Sequence, residues 1–240
     1  MKEIIIYFSI KYQGDYFKIK NALIKMEKID IEKLIQWNKK LENNKIKVLT
    51  KFDQTYPNSF KNIKYSPYAI FYKGNIDLLN SEKIMLVGDS FEKSYEDIEN
   101  SLHPIILKKT LLSLGFKNFD EKIYNLFKNN NGKIISFSAN GLIDQYMFNE
   151  IDLNLNNLII SEYPFKINLS KRKLFKRNYL SSILSDFLII YNSEKNSKLF
   201  NLINFFLNSG KEIFCFPPKG DDGNLILLND GANFVTKIVV

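Results

Sequence analysis

The sequence predicts an α/β protein: a doubly wound, mostly parallel sheet preceded by a small helical module. Three observations predict it. From residue 83 onward, short apolar runs with strand character recur, "KIMLVG", "KIISF", "NLIIS", "DFLIIY" and "EIFCF". Such runs belong to strands buried on both faces, the condition of a parallel sheet. Helical segments separate most of them and supply the crossovers that parallel pairing needs. The first 50 residues, by contrast, carry a helical period.

In that first stretch, "DYFKIKNALIKMEKIDIEKLIQWNKKLENN" spaces Phe17, Ala22, Leu23, Met26, Ile29, Leu34, Ile35 and Trp37 roughly at helical period with lysines between them. Residues 1–50 are therefore expected to form the amphipathic helical module. Residues 51–82 lie mostly within "KVLTKFDQTYPNSFKNIKYSPYAIFYKGN", where two prolines and an aromatic-rich strand pattern mark a linker or an added edge strand. Residues 83–240 form the α/β domain. Within it "SKLFNLINFFLNSG" is the clearest crossover helix, with Gly210 as its stop. The Asn-rich "KNNNG" at 128–132 is a loop tip.

Composition narrows the function classes. The chain is 45% hydrophobic and 25% charged, ordinary for a globular protein. The apolar run in "MKEIIIYFSIKYQ" is too short for a membrane span and carries no cleavage signature. A cytoplasmic protein without membrane association is expected. Lone Cys215 excludes an internal disulfide, and lone His103 sets aside a Cys/His zinc site. No metal or cofactor is expected.

The net charge of +8 is partly a background of lysine-rich codon usage, so its distribution says more. Residues 1–83 hold 16 basic and 9 acidic side chains, residues 84–240 hold 18 and 17. Within the balanced part, residues 163–185 carry Lys166, Lys171, Arg172, Lys173, Lys176 and Arg177 and no acid. Arg172 and Arg177 are the only arginines among 34 basic residues. A guanidinium grips phosphate through a planar fork, whereas lysine is a point charge, so the surviving pair points to geometric use or to chance clustering. Tyr163, Phe175 and Tyr179 interleave rings with these cations, as base stacking on a single strand requires, unless Phe175 is core and the lysines a solvated loop.

Two strand ends suit a phosphate: Gly88 after the first apolar run and "SANG" at 138–141 after the second. Neither forms a dinucleotide or ATP loop, and plain turns are the alternative. "GDDG" at 220–223 reads as a turn before it reads as a magnesium site. No nucleophile motif is present, Cys215 lies in an apolar strand, and His103 has no visible partner. The expectation is a binding protein and not an enzyme.

The order "DQTYPNSFKNIKYSPYAIFYKGN", "IMLVG", "IISFSANGLID", "IISEYPF", "FKRNYLSSILSDFLIIYN", "EIFCFPP" and "GNLILLNDGANFV" resembles the DNA-processing protein A family (DprA/Smf) over roughly residues 47–236. The resemblance implies a Rossmann-like domain that binds single-stranded DNA in a basic pocket, dimerises and helps load a RecA-type recombinase during DNA uptake. Arg177 and Asn178 match the first two residues of the family's Arg-Asn-Arg motif, with Tyr179 in place of the second arginine. Ser161, Glu162 and Pro164 match its Ser-Glu-x-Pro turn, and Gly88 the glycine of its Gly-Ser-Arg motif.

Departures are substantial. Ser90 stands where that motif has arginine, and Asp89 adds a negative charge. Phe137 replaces a glycine, Ile143 or, after a shift, Asp144 falls on the family's aspartate, and Met147 on its histidine. The segment before "NLIISEYP" is shortened.

The resulting DNA-binding set is Arg177, Asn178, Lys176, Arg172, Lys171, Lys173, Lys166, Gly88, Ser161, Glu162, Ser136 and Gly141. Arg177 and Asn178 are expected at the start of a helix or its preceding turn, beside the Ser161–Glu162 strand end. There they form one wall of an anion pocket ringed by lysines, the alternative being an Arg177–Glu162 ion pair that only pins the loop. Rival readings are a degenerate scaffold retaining only dimer or partner contacts, and a nucleotide-metabolite protein.

Overall fold

The structure is a computed structural model and describes residues 1–143 and 155–238. Asp144 and Met147 lie outside the described residues. The chain opens with helices α1 (Lys2–Lys11), α2 (Tyr16–Ile24) and α3 (Ile31–Asn43). The last two begin where sequence chemistry says they should. Asp15 accepts from the amides of Phe17 and Lys18, each at 3.1 Å, and Asp30 from that of Lys33 at 3.1 Å; such caps contribute about 1 kcal/mol each.

Strand β1 (Lys47–Thr50), the short helix α4 (Asn58–Lys61) and strand β2 (Ala69–Gly74) follow. Then come β3 (Lys83–Gly88), α5 (Tyr95–Ile106), β4 (Thr110–Ser113), α6 (Phe119–Asn129), β5 (Lys133–Ser138) and β6 (Asn157–Ser161). The last elements are α7 (Lys171–Leu184), β7 (Phe187–Asn192), α8 (Leu199–Asn208), β8 (Ile213–Cys215), α9 (Gly223–Asn229) and β9 (Asn233–Phe234).

These elements divide into two compact units, one of Met1–Ile76 with Ser138–Leu174, the other of Asp77–Phe137 with Phe175–Val240. In the first, β2 pairs antiparallel with β1 on one side and with β6 on the other. One expectation changes here: β2 is not an edge strand, since both its backbone edges are used. Its pairing with β6 is antiparallel, with Phe71 opposite Ser161. Tyr56 of the Tyr-Pro segment is buried and donates to the Pro67 carbonyl at 2.7 Å, which closes the loop ahead of β2.

The helical stripe also differs in detail. Ala22 and Leu34 are buried as expected, but Met26, Ile35 and Phe17 are exposed. The apolar side of the module is supplied instead by Ile5, Ile6, Tyr7 and Phe8 of α1.

The second unit is Rossmann-like. Its strands stand in the order β5-β4-β3-β7-β8-β9, every neighbouring pair parallel. "KIMLVG" and "DFLIIY" are neighbours in one parallel sheet, as expected, with Met85 opposite Leu188. Ile84, Met85, Leu86, Leu188, Ile189 and Ile190 are all buried, the burial that continuous apolar runs demand. β4 and β9 are additional strands that the apolar runs did not reveal. The chain lays down β3, β4 and β5 outward in one direction and returns to add β7, β8 and β9 in the other. The order therefore reverses between β3 and β7, where an open α/β sheet forms its ligand crevice.

Candidate nucleic-acid interface

The switch point is the place where Gly88, at the end of β3, meets Asn192, at the end of β7. Its turn amides are already used. The Asn192 side-chain oxygen accepts from the amides of Asp89 (3.1 Å) and Ser90 (2.9 Å), and its nitrogen donates to the Ser90 carbonyl at 2.6 Å and to the Ser94 hydroxyl. Asp89 in turn accepts from the Glu194 amide at 2.7 Å and the Ser197 hydroxyl at 2.8 Å. The protein's own acceptors thus fill the donors that a phosphate would take. Gly88 is required by packing: a Cβ there would lie 2.5 Å from the Phe119 ring.

Arg177 lies in mid-helix, because α7 already begins at Lys171. This corrects the expectation of a helix start or preceding turn. The polar first turns of the helix, "KRKLFK", are helical because they lie on the surface, where lysine and arginine cost little. Arg177 is only 6% exposed. Its Nη1 donates to the Leu114 carbonyl at 2.7 Å, and Nε and Nη2 share the Asn178 side-chain oxygen at 3.2 and 2.9 Å. The guanidinium lies 4.6 Å from the centre of the Phe116 ring.

Burial pushes the pKa of Arg177 down to about 10, against the pull of Asp120, so it stays charged at neutral pH. Asp120 is held by the Ser113 hydroxyl at 3.2 Å and the Phe116 amide at 2.9 Å. The expected open wall of a pocket is therefore corrected to a buried anchor that ties α7 to the loop after β4. The fork is used, but on the protein's own carbonyl. Ser136, also in this unit, is buried, with its hydroxyl lacking a hydrogen bond among the described residues.

In the first unit the two expected turns are laced together. Leu142 N donates to the Pro164 carbonyl at 3.2 Å, and Ile167 N to that of Asn140 at 3.0 Å. Gly141 has φ +106°, and a Cβ would meet the Phe165 carbonyl at 2.2 Å, so only glycine fits. Ser161 is buried, donating to the Ser138 carbonyl and accepting from Tyr163 N, both at 3.0 Å. Glu162 is buried as well. Burial first, and the Glu162 charge second, raise the pKa of the Tyr163 phenol. Tyr163 is therefore core and not the stacking ring expected of it, whereas Phe175 is exposed and meets Phe205 edge-on at 4.6 Å.

Positive charge reaches solvent elsewhere. Lys166, Lys171 and Arg172 are exposed, and Lys173 and Lys176 are half-buried. Arg172 lies 3.8 Å from Asp15, and Lys173 donates to Gln13 at 3.1 Å and to the Asn168 carbonyl at 2.9 Å. The first turn of α7 thus leans on the turn that leads into α2. "GDDG" is a helix start: Asp222 caps α9 by accepting from Leu225 N at 3.1 Å, and Asp221 pairs with Lys195 at 2.5 Å. No group of three metal-ligating side chains occurs among the described residues.

The model of the family "DNA recombination-mediator protein A" matches residues 47–239. The chain belongs to this family. It is 26% identical over 207 residues, 77% of the chain and 69% of the relative, to the DNA processing protein DprA of Streptococcus pneumoniae. Its fold matches the X-ray structure of that protein with a TM-score of 0.74 at 23% identity, covering 92% of this chain and 78% of the other. It also matches DNA processing protein A from Helicobacter pylori, described for its single-stranded DNA binding mode, with a TM-score of 0.67 at 23% identity over 79% and 90%. Ser90, where the sequence resemblance implies an arginine, belongs to the closed loop held by Asn192. Asn192 is the residue that sequence reasoning missed. Its only signal was an asparagine immediately ending a buried strand at the sheet's ligand edge.

No helix among the described residues is long and apolar enough to cross a membrane.

Proposed function

We propose that the chain binds single-stranded DNA without reading its sequence and acts as a recombination mediator, delivering the strand to a RecA-type recombinase as a cytoplasmic homodimer, with no catalytic step of its own. Membership of the recombination-mediator family and the name of the Helicobacter pylori relative support this reading. The observation that carries it is the acid-free run 163–185, which presents Lys166, Lys171 and Arg172 to solvent around the first turn of α7. Lysine and arginine on a helix surface neutralise phosphates and release counterions, which gives affinity without base readout. In this arrangement Arg177 and Asn178 position α7 and do not grip a phosphate.

The test is a titration of a fluorescent oligothymidylate at several salt concentrations. Binding weakens as salt rises, and Lys171→Ala with Arg172→Ala lowers the slope of log affinity against log salt by about 0.7 for each phosphate no longer neutralised. Salt-independent affinity, or an unchanged slope in the variant, overturns it. A second reading, a scaffold that keeps only partner contacts, draws on the Asp89–Asn192 closure of the switch point. It predicts no oligonucleotide binding at low salt.

A further inference from the structure

Four aromatic rings gather in the first unit at the start of α2 and in the loop between α4 and β2. Tyr16 meets Tyr65 and Tyr68, each at 5.3 Å between ring centres, and Phe17 meets Tyr65 at 5.1 Å. Tyr68 is buried and forms the base of the cluster. Phe17 and Tyr65 stand outward, 55% and 44% exposed. They meet each other at a tilt of 55°, and Tyr16 packs against Phe17 at 5.5 Å.

Cations surround the rings. Lys51 lies 3.9 Å from the centre of Tyr68, and Lys64 lies 5.4 Å from that of Tyr65. Lys20, three residues beyond Phe17 on α2, shares its side of the helix. None of these three lysines forms an ion pair among the described residues. The carboxylates of the adjoining residues are committed elsewhere: Asp15 caps α2 and faces Arg172, while Asp53 holds Lys2 at 3.0 Å and the Thr50 amide at 2.7 Å.

Solvent-exposed aromatic rings within a net positive field match the chemistry of a strand that alternates flat bases with phosphates. The patch is also continuous with the basic first turn of α7. Arg172 lies against Asp15, and Asp15 is followed directly by Tyr16 and Phe17.

We infer that Phe17 and Tyr65 form a stacking subsite for the bases of a single-stranded nucleic acid whose phosphates are drawn by Lys20, Lys51 and Lys64. The subsite extends the proposed function, and its continuity with α7 rests on that reading. Apolar packing alone would bury these rings, and a docking surface for an ordinary protein partner would not need unpaired lysines around them.

The test uses the full chain with Phe17→Trp and, separately, Phe17→Ala combined with Tyr65→Ala. Oligothymidylate should quench the added indole emission of the Trp variant in a saturable way, beyond any change in Trp37 of the parent. The double alanine variant should bind at least about fivefold more weakly, with its far-ultraviolet dichroism and unfolding midpoint close to the parent's. Phe17→Trp with Tyr65→Trp should restore binding, which loss of fold would not allow.

An unquenched indole, or unchanged affinity in the alanine variant, overturns the subsite even where the α7 variants confirm the basic turn. Conversely, quenching that persists in Lys171→Ala with Arg172→Ala while affinity is unchanged overturns the α7 reading and leaves the subsite standing. Quenching by phosphatidylserine vesicles but not by oligonucleotide assigns the patch to a membrane surface and overturns it as well.

Discussion

The guanidinium of Arg177 donates to the carbonyl oxygen of Leu114 across 63 residues of chain, at 2.7 Å and almost out of reach of solvent. This bond joins the middle of α7 to the loop after β4, at the ligand edge of the parallel sheet. Hydrogen bonds made by a buried charge are worth about 1.5–3 kcal/mol, and lysine cannot reproduce the fork. Arg177→Ala should lower stability by about 3 kcal/mol and Arg177→Lys by about half that. Urea unfolding should register both as a shift in midpoint at constant slope. Oligonucleotide affinity should suffer less in Arg177→Lys than in Lys171→Ala with Arg172→Ala.

Gly88 should tolerate no side chain. An added methyl group would stand 2.5 Å from one carbon of the Phe119 ring and 2.8 Å from another. Phe119 is itself buried at the start of α6, so the ring cannot swing away without cost. Gly88→Ala should destabilise by about 1–3 kcal/mol, read as a lower thermal midpoint. Combining it with Phe119→Leu should recover part of the loss.

Lys211 carries a pH signature. Its ammonium donates to the carbonyls of Ser182 and Ile183, each at 2.7 Å, and to that of Ser185, closing the C-terminal turn of α7. Burial lowers its pKa to about 8 from 10.5, with Asp186 opposing and Lys83 adding to the shift. Between these two values the unfolded chain binds the proton and the folded chain does not. Stability contributed by this group therefore rises as pH increases from about 8 to 10.5 and is constant outside that window. Lys211→Met should remove that rise, visible as the difference between the two proteins' unfolding free energies from about pH 7 to about pH 10.

Cys215 should be inert in the folded protein. It is fully buried in β8, its sulfur 3.9 Å from the Asn224 carbonyl, and burial pushes its pKa up to about 12. The thiolate is the reactive form. Labelling by a disulfide reagent at about pH 8 should proceed only as fast as the chain opens, and should become immediate in denaturant.

Much of the architecture was legible in the sequence because strands buried on both faces leave an uninterrupted apolar mark. "KIMLVG", "NLIIS" and "DFLIIY" coincide with β3, β6 and β7 to within a residue. The lysine and arginine run at 163–185 was equally visible, since charge composition is a property of the sequence alone. β4 escaped notice because "TLLS" is four residues long, and β9 because "NF" is two. Such segments carry too little pattern to distinguish strand from loop.

What tertiary structure alone decided was the use made of individual polar side chains. The sequence determined that Arg177 is an arginine kept amid lysines, but whether its fork would face a phosphate or a carbonyl depended on Leu114 and Phe116, in the loop after β4, and on Asp120 of α6. Likewise Asp89 reads as an added negative charge, and only the return of β7 beside β3 supplied the amide of Glu194 and the Asn192 side chain that absorb that loop's hydrogen bonds. Hydrophobic patterning is local and survives in one dimension. The partner of a buried donor or acceptor is set by chain segments far away in sequence, 63 residues for Arg177 and 103 for the Asp89 amide, and no local pattern encodes it.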